Sequence, residues 1–293
     1  MIRYMVKNNL KLMCRNTLCL VLMFLVPLGV IAALSSAFSQ LMSSAYDQKA
    51  IESQYEQVIQ AFLPDKNHAS IQDGNTLPDS QIQLPIQELD FMPAISSSDY
   101  YGIVEIVYFN WCSLLFAAGF LSAEKKSKIG LRLRTSGLSS MQTYLGKLIP
   151  TVTFAGISTA VNMLFTHLIF HVHWGRLPFT ALVFFLSTLA AVSFGLMLYR
   201  LSENIVITII LLFICVWTFG FFGGSFESYM YSNASEFLKQ ASPVYHVNRA
   251  LVELSCMEKS DYVLSSSLYS SGIFLFCSAV SVLAGRLKKG GKA

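Results

Sequence analysis

Residues 124–147 read EKKSKIGLRLRTSGLSSMQTYLGK, and the fold turns on where this stretch sits. It lies between two apolar runs, each long enough to cross a bilayer, since about 20 helical residues match a hydrocarbon core of about 30 Å. Lys125, Lys126, Lys128, Arg132, Arg134 and Lys147 are basic, and Glu124 alone is acidic. A short basic loop between two spans stays on the cytoplasmic side, because moving Lys and Arg through the membrane is disfavoured. Two readings stay open. The stretch is a topology signal that adheres to anionic headgroups, or it is a structured element with its own shape. For the second, Ile129, Leu131 and Leu133 alternate with polar and charged residues, and Gly130 and Gly137 interrupt the run. Ser139 is placed to cap a helix that starts at Ser140 and leads back into the bilayer.

The rest of the chain agrees with a membrane setting. Of its 293 residues 54% are hydrophobic and 13% charged, with a mean hydropathy of +0.52. Soluble domains carry about a quarter charged residues. The 22 Phe and 13 Tyr suit spans bordered by interfacial aromatics. The six cysteines include no CxxC pair and read as small apolar residues.

Upstream of the loop, residues 1–16 set Ile2, Met5, Val6, Leu12 and Met13 near one helical face and Arg3, Lys7, Lys11 and Arg15 around the remainder. This pattern predicts a basic amphipathic helix lying in the inner interface; a cleaved signal peptide ending near Ser35-Ser36-Ala37 is the competing reading. Residues 17–38 form a first span with Pro27 inside it. Residues 39–99 change character: nine acids face only Lys49 and Lys66, and Pro64, Pro78, Pro85 and Pro93 punctuate the segment. It reads as a small extracellular insert. The second span, 100–123, contains Glu105 near its outer end. A carboxylate costs about 2.5–3.5 kcal/mol at a span's centre and less near the interface. Glu105 therefore either reaches water or lines a substrate path or subunit contact.

Downstream, residues 148–170 and 177–199 are the third and fourth spans. The HVHWGR turn between them (171–176) has an HxH pattern, but an interfacial aromatic turn explains it better than a metal site. Residues 205–222 form the fifth span and 263–283 the sixth, followed by the basic tail 284–293. Between the last two spans, residues 223–262 are amphipathic in pieces, with Phe237, Leu238 and Ala241 before Ser242-Pro243. Then Val244, Val247, Ala250, Leu251 and Leu254 share one helical face. Gly223, Gly224 and Pro243 would let non-helical backbone enter membrane depth if protein surrounds it.

Charge tests this topology. With six spans and both termini inside, cytoplasmic segments hold fifteen of the 21 basic residues but only Glu124 and Glu203 among the 17 acids. External segments hold six basic residues and fourteen acids, leaving Glu105 in the membrane. The net charge of +4 thus conceals a sorting across the membrane and implies no nucleic acid.

Glu124, the basic cluster, Gly130, Thr135-Ser136-Gly137 and Tyr144-Leu145-Gly146-Lys147 resemble the first cytoplasmic loop of exporter-type ABC permeases of the second class. In that family an acid ends the second span, a Gly follows, and a Gly-Lys opens the third span. This chain has Ser136-Gly137 where the family usually has Ser-Pro. Ser242-Pro243, followed by an aromatic and an amphipathic helix, is similar to the family's re-entrant segment between spans five and six. The resemblance implies an all-α membrane protein with six transmembrane helices, an N-terminal interfacial helix, the small extracellular insert, and re-entrant or short helices before the last span. It implies a permease subunit in a bacterial plasma membrane, paired with a second permease, identical or related, and served by separate ATPase subunits that bind ATP and Mg. Coupling to the ATPase would fall on Glu124, Lys125, Lys126, Gly130, Arg134, Gly137 and Lys147. Glu105, Ser242 and Pro243 would serve a translocation path or external gate. The substrate would be amphipathic: a drug, a peptide or a lipid-linked molecule.

The residues agree with an energy source outside the chain. No GxxxxGK[ST], HExxH or GxSxG occurs, no cofactor is expected on this chain, and the spans hold too few ionisable groups for an ion-coupled carrier. A membrane-anchored sensor or scaffold with an acidic ectodomain is the alternative from another class. A channel would need a polar pore-lining stripe that the spans lack.

Overall fold

The computed structural model describes residues 2–15, 17–45, 95–113, 115, 138–226, 228 and 234–290. The predicted coupling residues Glu124 to Gly137 and nearly all of the extracellular insert lie outside them. The described residues contain helices and no strand. In chain order the helices are α1 (Ile2–Cys14), α2 (Thr17–Ala45), α3 (Ser97–Trp111), α4 (Ser140–Phe170), α5 (Leu177–Ser202), α6 (Ile205–Gly223), α7 (Glu236–Ala241), α8 (Pro243–Met257) and α9 (Tyr262–Gly290).

Five of these, α2, α4, α5, α6 and α9, are long and apolar enough to cross a membrane. Their outward faces are those of a protein in lipid. On α6, Thr208, Leu212, Val216 and Gly220 recur every four residues on the buried side. Val206, Ile210, Phe213, Ile214 and Trp217 lie exposed around the other sides. Helix α3 differs. Tyr100 to Val107, Asn110 and Trp111 are all buried, so α3 is enclosed by its neighbours on every side.

Contacts at the helix ends fix the directions. Ser140 at the start of α4 meets Arg200 near the end of α5 and Val282 late in α9. At the opposite end, Ser97 of α3 donates to the Ser35 carbonyl of α2, and Tyr100 to the Gly224 carbonyl just past α6. Helices α2, α4 and α6 therefore run one way and α3, α5 and α9 the other. Helix α1 lies at the end where α4 begins.

Helix boundaries depart from the apolar runs at both ends of the chain. Helix α2 runs on to Ala45, and α9 continues through the basic tail to Gly290. Neither stretch holds a proline, and Gly285 alone does not stop α9 where hydrophobicity falls. A turn at Glu203-Asn204 joins α5 to α6: Glu203 closes α5 in the left-handed region, and the Asn204 side chain caps α6 at Val206 N.

Candidate functional site

The site is built from the residue that opens α4. Ser139 has extended backbone; its Oγ accepts from Gln142 N at 3.1 Å, and Gln142 Oε1 accepts from Ser139 N at 2.9 Å. This capping box satisfies two of the amide hydrogens that a helix start leaves free, and it fixes where, inside residues 124–147, the helix begins. Of the seven coupling residues predicted from sequence, Lys147 is described. Its Nζ lies 5.1 Å from the centre of the Tyr199 ring, tying α4 to α5 by a cation–π contact.

The next turn of α4 grips α1. Pro150 lies inside the helix and has no N–H, so the carbonyl four residues earlier, at Gly146, loses its helical donor. Asn9 of α1 replaces it, Nδ2 donating at 3.1 Å. Gly146 also makes room: a Cβ there would stand 2.6 Å from Met5 Cε, so a larger residue would push α1 away. Met5, Asn9 and Met13 form the buried stripe of α1, at i, i+4 and i+8, while Lys7 and Lys11 are exposed. The same stretch of α4 holds α9, since Tyr144 Oη and Ser278 Oγ are 2.7 Å apart.

The same chemistry recurs deeper in the bundle. Pro27 interrupts α2 and frees the Met23 carbonyl. Ser158 Oγ and Asn162 Nδ2, one turn apart on α4, both donate to it at 2.9 Å. Helix α4 thus receives α1 at its own proline and grips α2 at the proline of that helix. Sequence reasoning missed Asn9, Ser158 and Asn162. The available signal was the pair Pro27 and Pro150: each proline in a membrane helix implies an unmatched carbonyl, and a lone Asn on a facing apolar surface is its natural donor.

The opposite end is closed by α8. Carbonyls at and around the end of α6 are met by side chains of its neighbours, among them that of Gly223, the last residue of the helix, which has no partner within it. Ser242 Oγ donates to Phe219 O at 2.8 Å, Asn248 Nδ2 to Gly223 O at 2.7 Å, and Tyr100 Oη to Gly224 O at 2.9 Å. Ser242 also caps α8, and Pro243 takes the first helical position, where its missing N–H costs nothing. Val244, Val247, Ala250, Leu251 and Leu254 are buried as their spacing predicts, and so are Tyr245, Asn248, Val252 and Glu253. The apolar face identified in the sequence is thus only part of the buried surface, because Asn248 enters the interior as the donor to Gly223. Helix α7 is inverted relative to its reading: Phe237 and Leu238 are exposed, while Lys239 is buried and paired with Glu236 at 2.9 Å. A six-residue helix has little surface of its own, and the ion pair lets the lysine stem pack inward.

The 171–176 turn seals this closure. His173 N donates to Asp99 Oδ1 at 2.8 Å, and Ser255 Oγ donates to the His173 carbonyl. Gly175 has φ +58, and a Cβ there would collide with the Leu254 carbonyl, so the turn can rest directly on the end of α8. Arg249 joins the cluster through Glu253 Oε1 at 2.9 Å and Tyr245 Oη at 3.0 Å, with the Tyr262 ring 3.9 Å away. Burial disfavours the guanidinium charge, but the bonds to Glu253 and Tyr245 outweigh it and hold its pKa above the ordinary value.

Glu105 does not reach water. It is 1% exposed, and its Oε1 is buried with no hydrogen-bond partner among the described residues. It lies on the enclosed helix α3, one turn from Tyr108, whose ring packs over Gly220 of α6. Snorkelling is thereby corrected: α3 has no outer face along which a carboxylate could extend.

A family model described as ABC-2 family transporter protein matches residues 35–285. No curated protein is significantly similar to the chain. The match takes in α3 to α8 whole, together with part of α2 and nearly all of α9. The chain belongs to the ABC-2 transporter family and is a multi-pass membrane protein of that family.

Proposed function

We propose that this chain is the permease subunit of an ATP-driven exporter, with six spans, both termini cytoplasmic and the acidic segment 39–99 outside. Two such subunits, identical or related, surround the path, and a separate ATPase chain binds ATP and Mg on the cytoplasmic side. The observation that carries this reading is the family match over residues 35–285. The sorting of basic and acidic residues and the alternating helix directions support the orientation. The ATPase pushes on residues 124–137 and on α1. The push enters α4 at Gly146-Lys147, where Asn9 and Met5 already hold the two elements together. At the external end, Ser242 and Pro243 fix α8 across the end of α6 and act as part of a gate, while Glu105 stays within the bundle until the helices separate. The substrate is amphipathic, and export is the direction the family resemblance implies.

The coupling assignment is tested by Glu124→Gln, Gly130→Val and Gly137→Val. All three variants should insert and assemble normally yet lose substrate-stimulated ATP hydrolysis in a co-purified ATPase. A lipid anchor would tolerate all three, because no basic residue is lost. Normal transport by the three variants would leave the loop as a topology signal. Failure of any ATPase to co-purify would favour the sensor reading.

Orientation is tested at two thiols. A membrane-impermeant maleimide should reach Cys256 in intact cells and Cys14 only after permeabilisation. Burial, with Asp99 and Glu253 nearby, pushes the Cys256 thiol up to about 11. Because the thiolate is the reactive form, labelling at Cys256 should be slow at neutral pH and rise about tenfold per pH unit below that value. Modification of Cys14 in intact cells would reverse the topology.

A further inference from the structure

Where α2, α3 and α4 meet, beside the Pro27 kink, a small cleft is lined by Met23, Phe109, Asn110, Ser113, Thr159 and Asn162, among others. Among the described residues its walls carry no ionisable side chain. Three buried side chains bring to it polar atoms that have no partner among the described residues. Asn162, 3% exposed, commits its Nδ2 to the Met23 carbonyl, which identifies Oδ1 as the end left without a partner. Ser113 is 1% exposed, and its Oγ has no partner among the described residues. Asn110 Oδ1 stands 3.1 Å from Thr188 Oγ1, and its Nδ2 is unmet. The Thr188 hydroxyl has one proton and also lies 2.7 Å from the Phe184 carbonyl. If the Asn110 amide is turned over, its oxygen becomes the unmet end. In either orientation one end of the amide remains unsatisfied.

The set therefore offers a carbonyl acceptor, a hydroxyl that can donate or accept, and one end of an amide. It offers no charge to hold an ion. What fits is a small neutral group that both donates and accepts, and the space admits about one water molecule. Within a bilayer, bulk solvent does not reach such groups, so partners must be supplied inside the bundle. We propose that an internal water bridges Asn162 Oδ1, Ser113 Oγ and the Asn110 amide. Helix α2 is then held at its kink by a continuous polar network: the Met23 carbonyl, Asn162, the water, Asn110 of α3, and Ser113 just past the end of that helix. This network joins three helices through bonds that can exchange, whereas dry side-chain packing would have to be broken for them to move.

The test is hydroxyl-radical footprinting by brief X-ray radiolysis of the full chain in its native membranes, which oxidises side chains beside trapped water. Met23 lines the cleft and is 4% exposed; Met13, 1% exposed and packed in the same apolar cluster, is the dry control. Met23 should be oxidised several times faster than Met13. In Ser113→Val, which removes one partner and fills the space, its rate should fall to that of Met13. Equal, low oxidation of the two methionines in the unaltered chain would overturn the proposal. So would undiminished oxidation of Met23 in Ser113→Val, because the water would then be bulk solvent arriving by another route. Should the variant not accumulate, the comparison in the unaltered chain decides between a hydrated cleft and a dry one.

Discussion

Pro27 and Pro150 create the same defect in two places, and the two repairs differ. At Pro27 the orphaned Met23 carbonyl receives two donors, Ser158 and Asn162, both from one neighbouring span. The repair sits in the first third of α2, beside buried polar groups that have no partner among the described residues. At Pro150 the Gly146 carbonyl takes Asn9, from a short amphipathic helix outside the bundle, and Met5 covers the site closely. The first arrangement keeps a kinked span attached to its neighbour. The second fastens a surface element to the base of a span. The contrast teaches that α4 is the common receiver: its first turns bind α1, and its middle binds α2. A movement of α1 or of the adjoining loop therefore has a covalently continuous route, along α4, to the kink of α2.

The largest effect is expected at the deeper site. Ser158→Ala with Asn162→Leu strips both donors from a carbonyl that water does not freely reach, and an unsatisfied buried group costs about 1–3 kcal/mol. The double variant should lose stability on that scale, read by thermal unfolding of the detergent-solubilised chain. Adding Pro27→Ala returns an N–H to the Met23 carbonyl and should recover much of the loss. No recovery would mean that Ser158 and Asn162 matter for packing between α2 and α4, and the parallel with Pro150 would fail.

What the sequence made legible followed from periodicity and from residues that act locally. The apolar runs located five helices able to span a membrane, Ser139 announced the start of α4, and Ser242-Pro243 opened α8. Partnerships across the chain were much less legible. Asn9 and Gly146 are 137 residues apart, and nothing in either neighbourhood names the other. Proline carries half of that message, because it fixes which carbonyl is orphaned, while the identity of the donor depends on how the helices pack. Polar residues in buried positions misled for the same reason: Asn248 and Lys239 look like surface residues until the carbonyl or carboxylate that satisfies them is seen. Charge and glycines marked residues 124–147 as a cytoplasmic stretch and the family resemblance suggested coupling there, whereas the contact that seats α1 on α4 became visible only in three dimensions.

The smaller effect, and the sharper one, belongs to Asn9. Asn9→Leu leaves the Gly146 carbonyl without the donor that Pro150 requires, but the site lies near the edge of the bundle, and interhelical hydrogen bonds in membranes average about 0.6 kcal/mol. Stability should fall by about that amount, while substrate-stimulated ATP hydrolysis in the partner should fall much further, because α1 is no longer fastened to α4. Pro150→Ala separates the two consequences. It restores a helical N–H to the Gly146 carbonyl, so the Asn9→Leu, Pro150→Ala chain should regain its stability. It does nothing to reattach α1, so coupling should stay impaired. If coupling returned along with stability, Asn9 would be only a substitute donor for an awkward carbonyl. If stability returned and coupling did not, the bond between α1 and α4 would carry the push, and the two prolines would differ in function although they share one defect in chemistry.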